Sequence, residues 1–595
     1  MLRMQVRLML CWPTLTIPRS SFPLECMKAF VKAHGLFLLI GLVWSTSLLA
    51  IAPEAEFDTD GMVASRSALA SQVGADILRG GGNAIDAAVA TGFALAVTHP
   101  SAGNLAGGGF MVIRLADGAV ITNDHRERAP ITATRDMYLD QAGNVIPGLS
   151  TYSHLAVGVP GTVDGLLSVL DKYGTMSRDA VLRPAIRMAQ KGFVIDRDMA
   201  RDLEAQLPGM QKYPASMQVF SNQGKPWQPG DVLVQKDLAR TLDLIRKRGR
   251  AGFYAGRTAD LLVAEMQRGG GLISHADLSE YQSVWRTPVI GQYRGHQIVS
   301  MPPPSSGGAL LVQMLNMLEP FDLKKMGYGS ADAVHLMVEA ERRAYADRAE
   351  HLGDPDYIKV PVERLADKLY AKRRFADFNP ARASRSTDIG AGSWPAESPD
   401  TTHASFIDKE GNAVAYTTTL NLSYGSKIVA AGTGMLLNNE MDDFSAKPDT
   451  PNAFGLLGRE ANAIAPRKRM LSSMTPTIVV KDGKTLLITG SPGGSTIITT
   501  TLQLIVNVID HGMDLSDAVS SPRVHHQWQP DVILYEKQGL SPDTLQKLTE
   551  RGHQGLTPWP YPRGIGDANS VMRVDGGFAG MADPRNPGGA AGPTR

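Results

Sequence analysis

The residues with the greatest chemical potential lie at a boundary. Asp400-Thr401-Thr402-His403 stands where a stretch rich in Ser, Ala, Pro and Gly (377–400) gives way to alternating apolar residues. A threonine hydroxyl alone is a weak nucleophile, but at a chain N-terminus its own α-amine can act as its base. That amine has a pKa of about 8, so much of it can accept a proton near neutral pH. Such a terminus inside one polypeptide requires scission of the Asp400–Thr401 bond, and an irregular segment ahead of Thr401 lets the hydroxyl attack it. The competing reading is a threonine that merely opens a strand. Gly493-Gly494 precedes an apolar run, 495–509. Glycines at a helix start expose backbone N–H groups where the helix dipole is positive, which suits a developing oxyanion; taken alone, a plain strand-to-helix turn is the favoured reading. Arg126-Glu127 and Asp442-Asp443 are charged clusters whose bland readings are a surface ion pair and a solvated loop pair. His525-His526 could suggest metal ligands, but no HExxH or further ligand spacing accompanies them. They are read as structural, and neither a metal nor another cofactor is expected.

The elements that hold these residues follow from periodicity. Residues 67–78 have helical spacing and stop at three glycines, and Asn83 is a good N-cap for a second helix to 97. Strands are expected at 110–115 and 119–122 around Asp117-Gly118, ending in the charged run 124–127. The middle, 177–281, reads as mostly helical. Helices follow at 309–318 and 331–351, the latter carrying many charges. Beyond Thr401 the pattern turns to β: 403–408 with 413–420, then 475–480 with 485–489, then a helix over 495–509. Hairpins and long helices in two batches predict stacked sheet and helix layers.

Composition sets the outer limits. The 595 residues are 43% hydrophobic and 20% charged, with a formal net charge of +1 and no long basic block, so nucleic acid is not an expected partner. Lys28 and Lys32 precede an apolar stretch, 36–50, and the chain turns polar at 54–60, as in a secretory signal. Residues 1–52 are therefore read as leader and signal peptide, with translation starting at Met27 as one hypothesis. Both cysteines, Cys11 and Cys26, fall in that leader. A mature chain without cysteine excludes disulfides and a Cys nucleophile, and it suits export to the bacterial periplasm.

Eight runs, spread from about residue 57 to the C-terminus, resemble the γ-glutamyltranspeptidase family in the family's order. They are GGGNAIDAA (80–88), AGNLAGGGF (102–110), DHRERAP (124–130), MPPPSSGG (301–308), TTHASFID (401–408), LNNEMDDFS (437–445), LSSMTPT (471–477) and GSPGGS (490–495). The resemblance implies an α+β fold of the N-terminal nucleophile hydrolase type, a four-layer αββα sandwich. It also implies a precursor that cuts itself between Asp400 and Thr401 into a large subunit (53–400) and a small one (401–595) that stay associated. Thr401 would form a γ-glutamyl ester, Thr419 would hydrogen-bond the nucleophile, and Gly493 and Gly494 would form the oxyanion hole. Arg126 would pair with the donor α-carboxylate, with Ser472 and Ser473 adding hydrogen bonds. Asn421, Glu440 and Asp443 would surround the α-ammonium. The implied partners are glutathione or another γ-glutamyl donor, and water, an amino acid or a dipeptide as acceptor.

Residues 447–468 resemble a lid loop. Phe454 departs from a familiar bacterial form, which has a tyrosine there whose hydroxyl helps latch the lid; Phe can pack but cannot make that bond. Thr496 is a second departure. The rival readings are a glutaryl-cephalosporin acylase, whose donor lacks the ammonium that Glu440 and Asp443 suit, and a poly-γ-glutamate depolymerase, which needs an open groove. A catalytically dead binding relative is countered by the intact residue set, and a nucleotide-binding enzyme by the absence of a GxxxxGK[ST] run.

Overall fold

The computed structural model describes residues 53–390, 402–447, 450–453, 455–457, 460–560 and 564–594. Asp400, Thr401, Phe454 and the leader 1–52 lie outside the described residues. Residues 53–595 form one compact unit.

In chain order the sheet strands are β1 (Glu56–Asp58), β2 (Gly61–Ser65), β3 (Gly108–Arg114), β4 (Val120–His125), β5 (Val284–Arg286), β6 (Val289–Tyr293) and β7 (His296–Ser300). After Thr401 come β8 (Thr402–Asp408), β9 (Ala413–Thr419), β10 (Thr477–Lys481), β11 (Lys484–Thr489), β12 (Ser570–Val574), β13 (Gly577–Met581) and β14 (Gly589–Ala591). They make two seven-stranded antiparallel sheets, ordered β14-β2-β8-β9-β3-β4-β5 and β1-β13-β12-β11-β10-β7-β6. Strands from both sides of residue 401 are thus neighbours in each sheet.

Period-two alternation sorts side chains into three cores. Phe110, Val112, Ile407, Ile478, Ile488 and Val571 meet between the sheets. Their strand neighbours Met111, Ile113 and Phe406 face outward onto the helices α1 (Ala68–Arg79), α2 (Ala84–Thr98) and α3 (Thr162–Tyr173). On the other side, Val479, Leu487 and Met572 face α4 (Gly307–Leu318), α5 (Ala331–His351) and α6 (Thr496–Ile509). Three cores make four layers, αββα. Local signals start the helices where expected: Ser67 caps α1, Asn83 and Asp86 form a capping box on α2, and Ser330 caps α5. The charges of α5 do not form a solvated face. Glu339, Glu341, Arg342, Arg343, Asp347 and Arg348 are all buried, because α5 lies between α4 and the loops from 375 onward and 523 to 531. No described helix is long and apolar enough to cross a membrane.

Candidate active site

The centre of the site is the β8–β9 hairpin. Thr402 pairs with Thr418, and β9 continues to Thr419 opposite Gly108 on β3. Glycines 107–109 permit this contact, since a Cβ on Gly107 would collide with the Thr419 carbonyl and one on Gly108 with the Glu127 carboxylate. Asn104 fixes the strand end, its amide donating to the Thr418 hydroxyl at 3.0 Å and the Thr419 carbonyl at 2.7 Å. Thr419 Oγ1 accepts from the backbone N–H of Asn421 at 2.7 Å, a geometry reached because Asn421 adopts a left-handed conformation, φ 73°. His403 is no base: its two ring nitrogens meet the Thr417 and Ser405 hydroxyls at 2.9 and 3.1 Å, and burial lowers its pKa to about 3.

Across from the hairpin, the turn 490–495 leads into α6. Gly493 and Gly494 have φ of 130° and 65°, and Thr496 Oγ1 donates to the Gly493 carbonyl at 2.7 Å. Among the described residues neither glycine N–H has a hydrogen-bond acceptor, while the N–H groups of Thr496 and Ile497 bond back to their carbonyls at 3.1 Å. Two unspent donors at a helix N-terminus meet the requirement for an oxyanion site. Gly490 lies against the His403 ring, where a Cβ would stand 2.5 Å from Nδ1. The turn and the hairpin are therefore in direct contact.

Arg126 is the hub of the polar wall. It is 1% exposed; Nε donates to the Met470 carbonyl at 3.1 Å and Nη2 to the Leu471 carbonyl at 3.0 Å. Its guanidinium also pairs with Glu440 and Asp443. This differs from the expectation in one respect: the cation assigned to a donor carboxylate is engaged by two carboxylates of the chain itself. The reason is electrostatic. Glu127, Glu440 and Asp443 are buried around one guanidinium, and burial raises the pKa of all three, Glu127 to about 7, outweighing Arg126's pull on each. The cluster is short of positive charge. Glu440 Oε2, Asp443 Oδ1, Asn421 Oδ1 and both Glu127 oxygens have no hydrogen-bond partner among the described residues. Buried acceptors in that number suit a multiply donating cation such as an ammonium.

Ser472 and Ser473 are fully buried beside this hub. The Ser472 carbonyl accepts from the N–H and hydroxyl of Ser306, at 2.7 and 2.8 Å, so the MPPPSSGG run is a splint for the serine pair. The structure thus brings together Arg126, Asn421, Glu440, Asp443, Ser472 and Ser473, and separately joins Thr419's hairpin to the Gly493-Gly494 turn. The surface readings of Arg126-Glu127 and Asp442-Asp443 do not hold, as all four are buried. His525 and His526 are structural, bonded to Thr499, Gln527 and Asp531.

The family profile of gamma-glutamyltranspeptidase matches residues 70–593. The chain belongs to the gamma-glutamyltranspeptidase family. A glutathione hydrolase proenzyme of Escherichia coli (strain K12) is 53% identical over 532 residues, covering 88% of this chain and 90% of that protein. A crystal structure of cephalosporin acylase from Bacillus halodurans is similar with a TM-score of 0.82 at 26% identity, covering 92% of this chain and 98% of that one. The Helicobacter pylori gamma-glutamyltranspeptidase structure is 46% identical with a TM-score of 0.55, covering 58% of this chain and 96% of its own. The α+β, N-terminal nucleophile hydrolase fold expected from the sequence is borne out.

Several supports of the site are not evident from the sequence alone. Glu127 is one, hidden because it adjoins an arginine and so reads as a simple pair. Asn438 and Asn439 are others: Asn438 bonds the backbone of Ala106, Gly158 and Glu440, and Asn439 that of Thr151 and Leu422. Two adjacent asparagines ahead of an acidic turn were the available signal.

Proposed function

We propose that Thr401 is the nucleophile of a self-processing enzyme that transfers the γ-glutamyl group of glutathione and related amides. The chain is a γ-glutamyl hydrolase and transferase made as a proenzyme, as its family membership implies. In this reading the Thr401 hydroxyl first attacks the Asp400 carbonyl and displaces the Thr401 nitrogen, and water then hydrolyses the resulting Asp400–Thr401 ester, freeing the hydroxyl and giving subunits 53–400 and 401–595. The same hydroxyl then attacks the γ-carbonyl of the donor, with its proton passing to the α-amine and on to the leaving amine. Thr419 orients the hydroxyl, and the Gly493 and Gly494 N–H groups hold the oxyanion. Water, an amino acid or a dipeptide releases the γ-glutamyl ester. Residues 1–52 are a leader removed on export to the periplasm.

The observation that carries the donor assignment is the Arg126 cluster, in which one cation serves three buried carboxylates. A zwitterionic donor inserts without unbalancing it. Its ammonium takes Glu440, Asp443 and Asn421, its carboxylate takes Arg126, Ser472 and Ser473, and ion pairs are exchanged rather than lost. A glutaryl donor supplies only the carboxylate and leaves the acids uncompensated, which disfavours an acylase. The test is purification of the chain and of Thr401→Ala. The natural sequence is expected as two fragments that release chromophore from a γ-glutamyl anilide. Survival of both cleavage and turnover in Thr401→Ala sinks the assignment.

A further inference from the structure

We propose that Arg348 is a positioning residue for the donor α-carboxylate, acting through the hydroxyl of Ser473. The inference rests on the reading of Ser472 and Ser473 as carboxylate-binding residues, and it names the group that makes them so.

Arg348 lies in the last turn of α5, 1% exposed, well inside the protein. Its Nη2 donates to Ser473 Oγ at 2.6 Å, and its Nε donates to Ser306 Oγ at 3.1 Å. Ser306 Oγ in turn donates to the Ser472 carbonyl at 2.8 Å. One guanidinium therefore spans the serine pair from both sides, touching the side chain of the second and, through Ser306, the backbone of the first. A point-charge ammonium on a lysine stem cannot make this span, whereas the planar fork can.

Proton bookkeeping gives the contact its consequence. A hydroxyl has one hydrogen to donate, and guanidinium only donates. Ser473 Oγ accepts from Arg348, and Ser472 Oγ accepts from the Met474 N–H at 3.2 Å. Among the described residues neither hydroxyl donates to a protein acceptor. Both hydrogens are thereby committed in advance to something else, on adjacent residues beside Arg126. Two hydroxyl donors on adjacent residues match in number the two oxygens of a carboxylate. Arg348 also polarises the Ser473 O–H, which strengthens its bond to an anion.

The test is a double-mutant cycle with Arg348→Gln and Ser473→Ala, reading KM and kcat for a γ-glutamyl anilide, with a 4-aminobutyryl anilide as the donor lacking the α-carboxylate. Arg348→Gln is expected to raise KM for the γ-glutamyl donor about tenfold, the size of one charge-assisted hydrogen bond, with a smaller change in kcat. The double variant is expected to be no worse than Ser473→Ala alone, with the 4-aminobutyryl donor little affected and Arg348→Lys intermediate. Additive losses, or an equal loss on both donors, overturn the role of Arg348. If Ser473→Ala itself spares KM for the γ-glutamyl donor, it is the carboxylate reading that fails. If Ser473→Ala raises that KM and Arg348→Gln does not, only the Arg348 inference fails. Failure of both Arg348→Gln and Arg348→Lys to accumulate as folded, self-cleaved protein marks Arg348 as purely structural and also overturns it.

Discussion

His335 and His553 share a hydrogen bond of 2.7 Å between Nδ1 of the first and Nε2 of the second, both buried. His335 Nε2 donates to the Asn379 carbonyl at 2.9 Å, so its Nδ1 is the acceptor and His553 the donor. Both rings are neutral in this arrangement. With Glu339 they are the one trio at metal-ligand spacing among the described residues, but Glu339 is already held by Arg342, Arg343 and the Ser384 N–H. The geometry therefore describes a clamp between residues before and after the proposed cleavage point rather than a metal centre.

That clamp predicts acid sensitivity. Burial lowers the pKa of His335, and of His553 to about 3, against about 6.5 for a free imidazole. Between these values the unfolded chain binds more protons than the folded one, so this contribution is present above pH 6.5 and lost as pH falls toward 3. Thermal melts from pH 3 to 8 are expected to show a shallower acid limb in His553→Gln than in the natural sequence. An unchanged slope refutes the clamp's titration.

Donor binding is expected to release protons near neutrality. The pKa of Glu127 stands at about 7 because burial outweighs Arg126, and an arriving ammonium adds the missing positive charge and lowers it. Calorimetry of a glutamate-like inhibitor at pH 6.5, in buffers of different ionisation heat, is the measurement. Release of a fraction of a proton is expected in the natural sequence and less in Glu127→Gln; proton uptake is the contrary result.

Asp443→Asn separates the transpeptidase reading from the acylase one. Loss of one carboxylate from the ammonium set is expected to cut kcat/KM for a γ-glutamyl anilide roughly a hundredfold, as for a buried ion pair deprived of one partner. A glutaryl anilide, which has no ammonium, is expected to lose far less. Parallel losses on the two donors place Asp443 outside ammonium recognition.

Gly493→Ala tests the oxyanion turn. At φ 130° a Cβ is strained, and it would collide with Thr496 Oγ1, so the N–H groups of the turn must shift. A fall in kcat of about 10² with little change in KM is expected, the size of one lost oxyanion donor. A variant with unaltered kcat removes Gly493 from that role.

The layers were largely legible in the sequence because β and α periods are local. Asn83 announces a helix that starts where its cap predicts, and β8, β9, β10 and β11 follow the alternation around Lys409-Glu410-Gly411-Asn412 and Asp482-Gly483. The members of the site were legible only through the family resemblance, since Arg126 stands 314 positions from Glu440. What stayed hidden was which charges face inward. The sequence of α5 shows only a long helix with many charges, yet Arg348 and Glu341 are buried, because long-range partners decide burial where periodicity is weak. Arg126's engagement with Glu440 and Asp443 was hidden for the same reason: residue types specify who can pair, not who does.

The interleaving of strands has a consequence for timing. β8 lies between β2 and β9, so the first sheet cannot close around the hairpin until a strand from residue 61 has met one from residue 402. The second sheet likewise needs β1 against β13, across some five hundred residues. A site assembled from such distant parts does not exist on a half-made chain. The proposed scission before Thr401 would act only on molecules that have already folded, and it would remove the covalent path by which they folded. A chain cut there would be both a certificate of correct assembly and a one-way gate, held together by sheet pairing that neither fragment can rebuild alone.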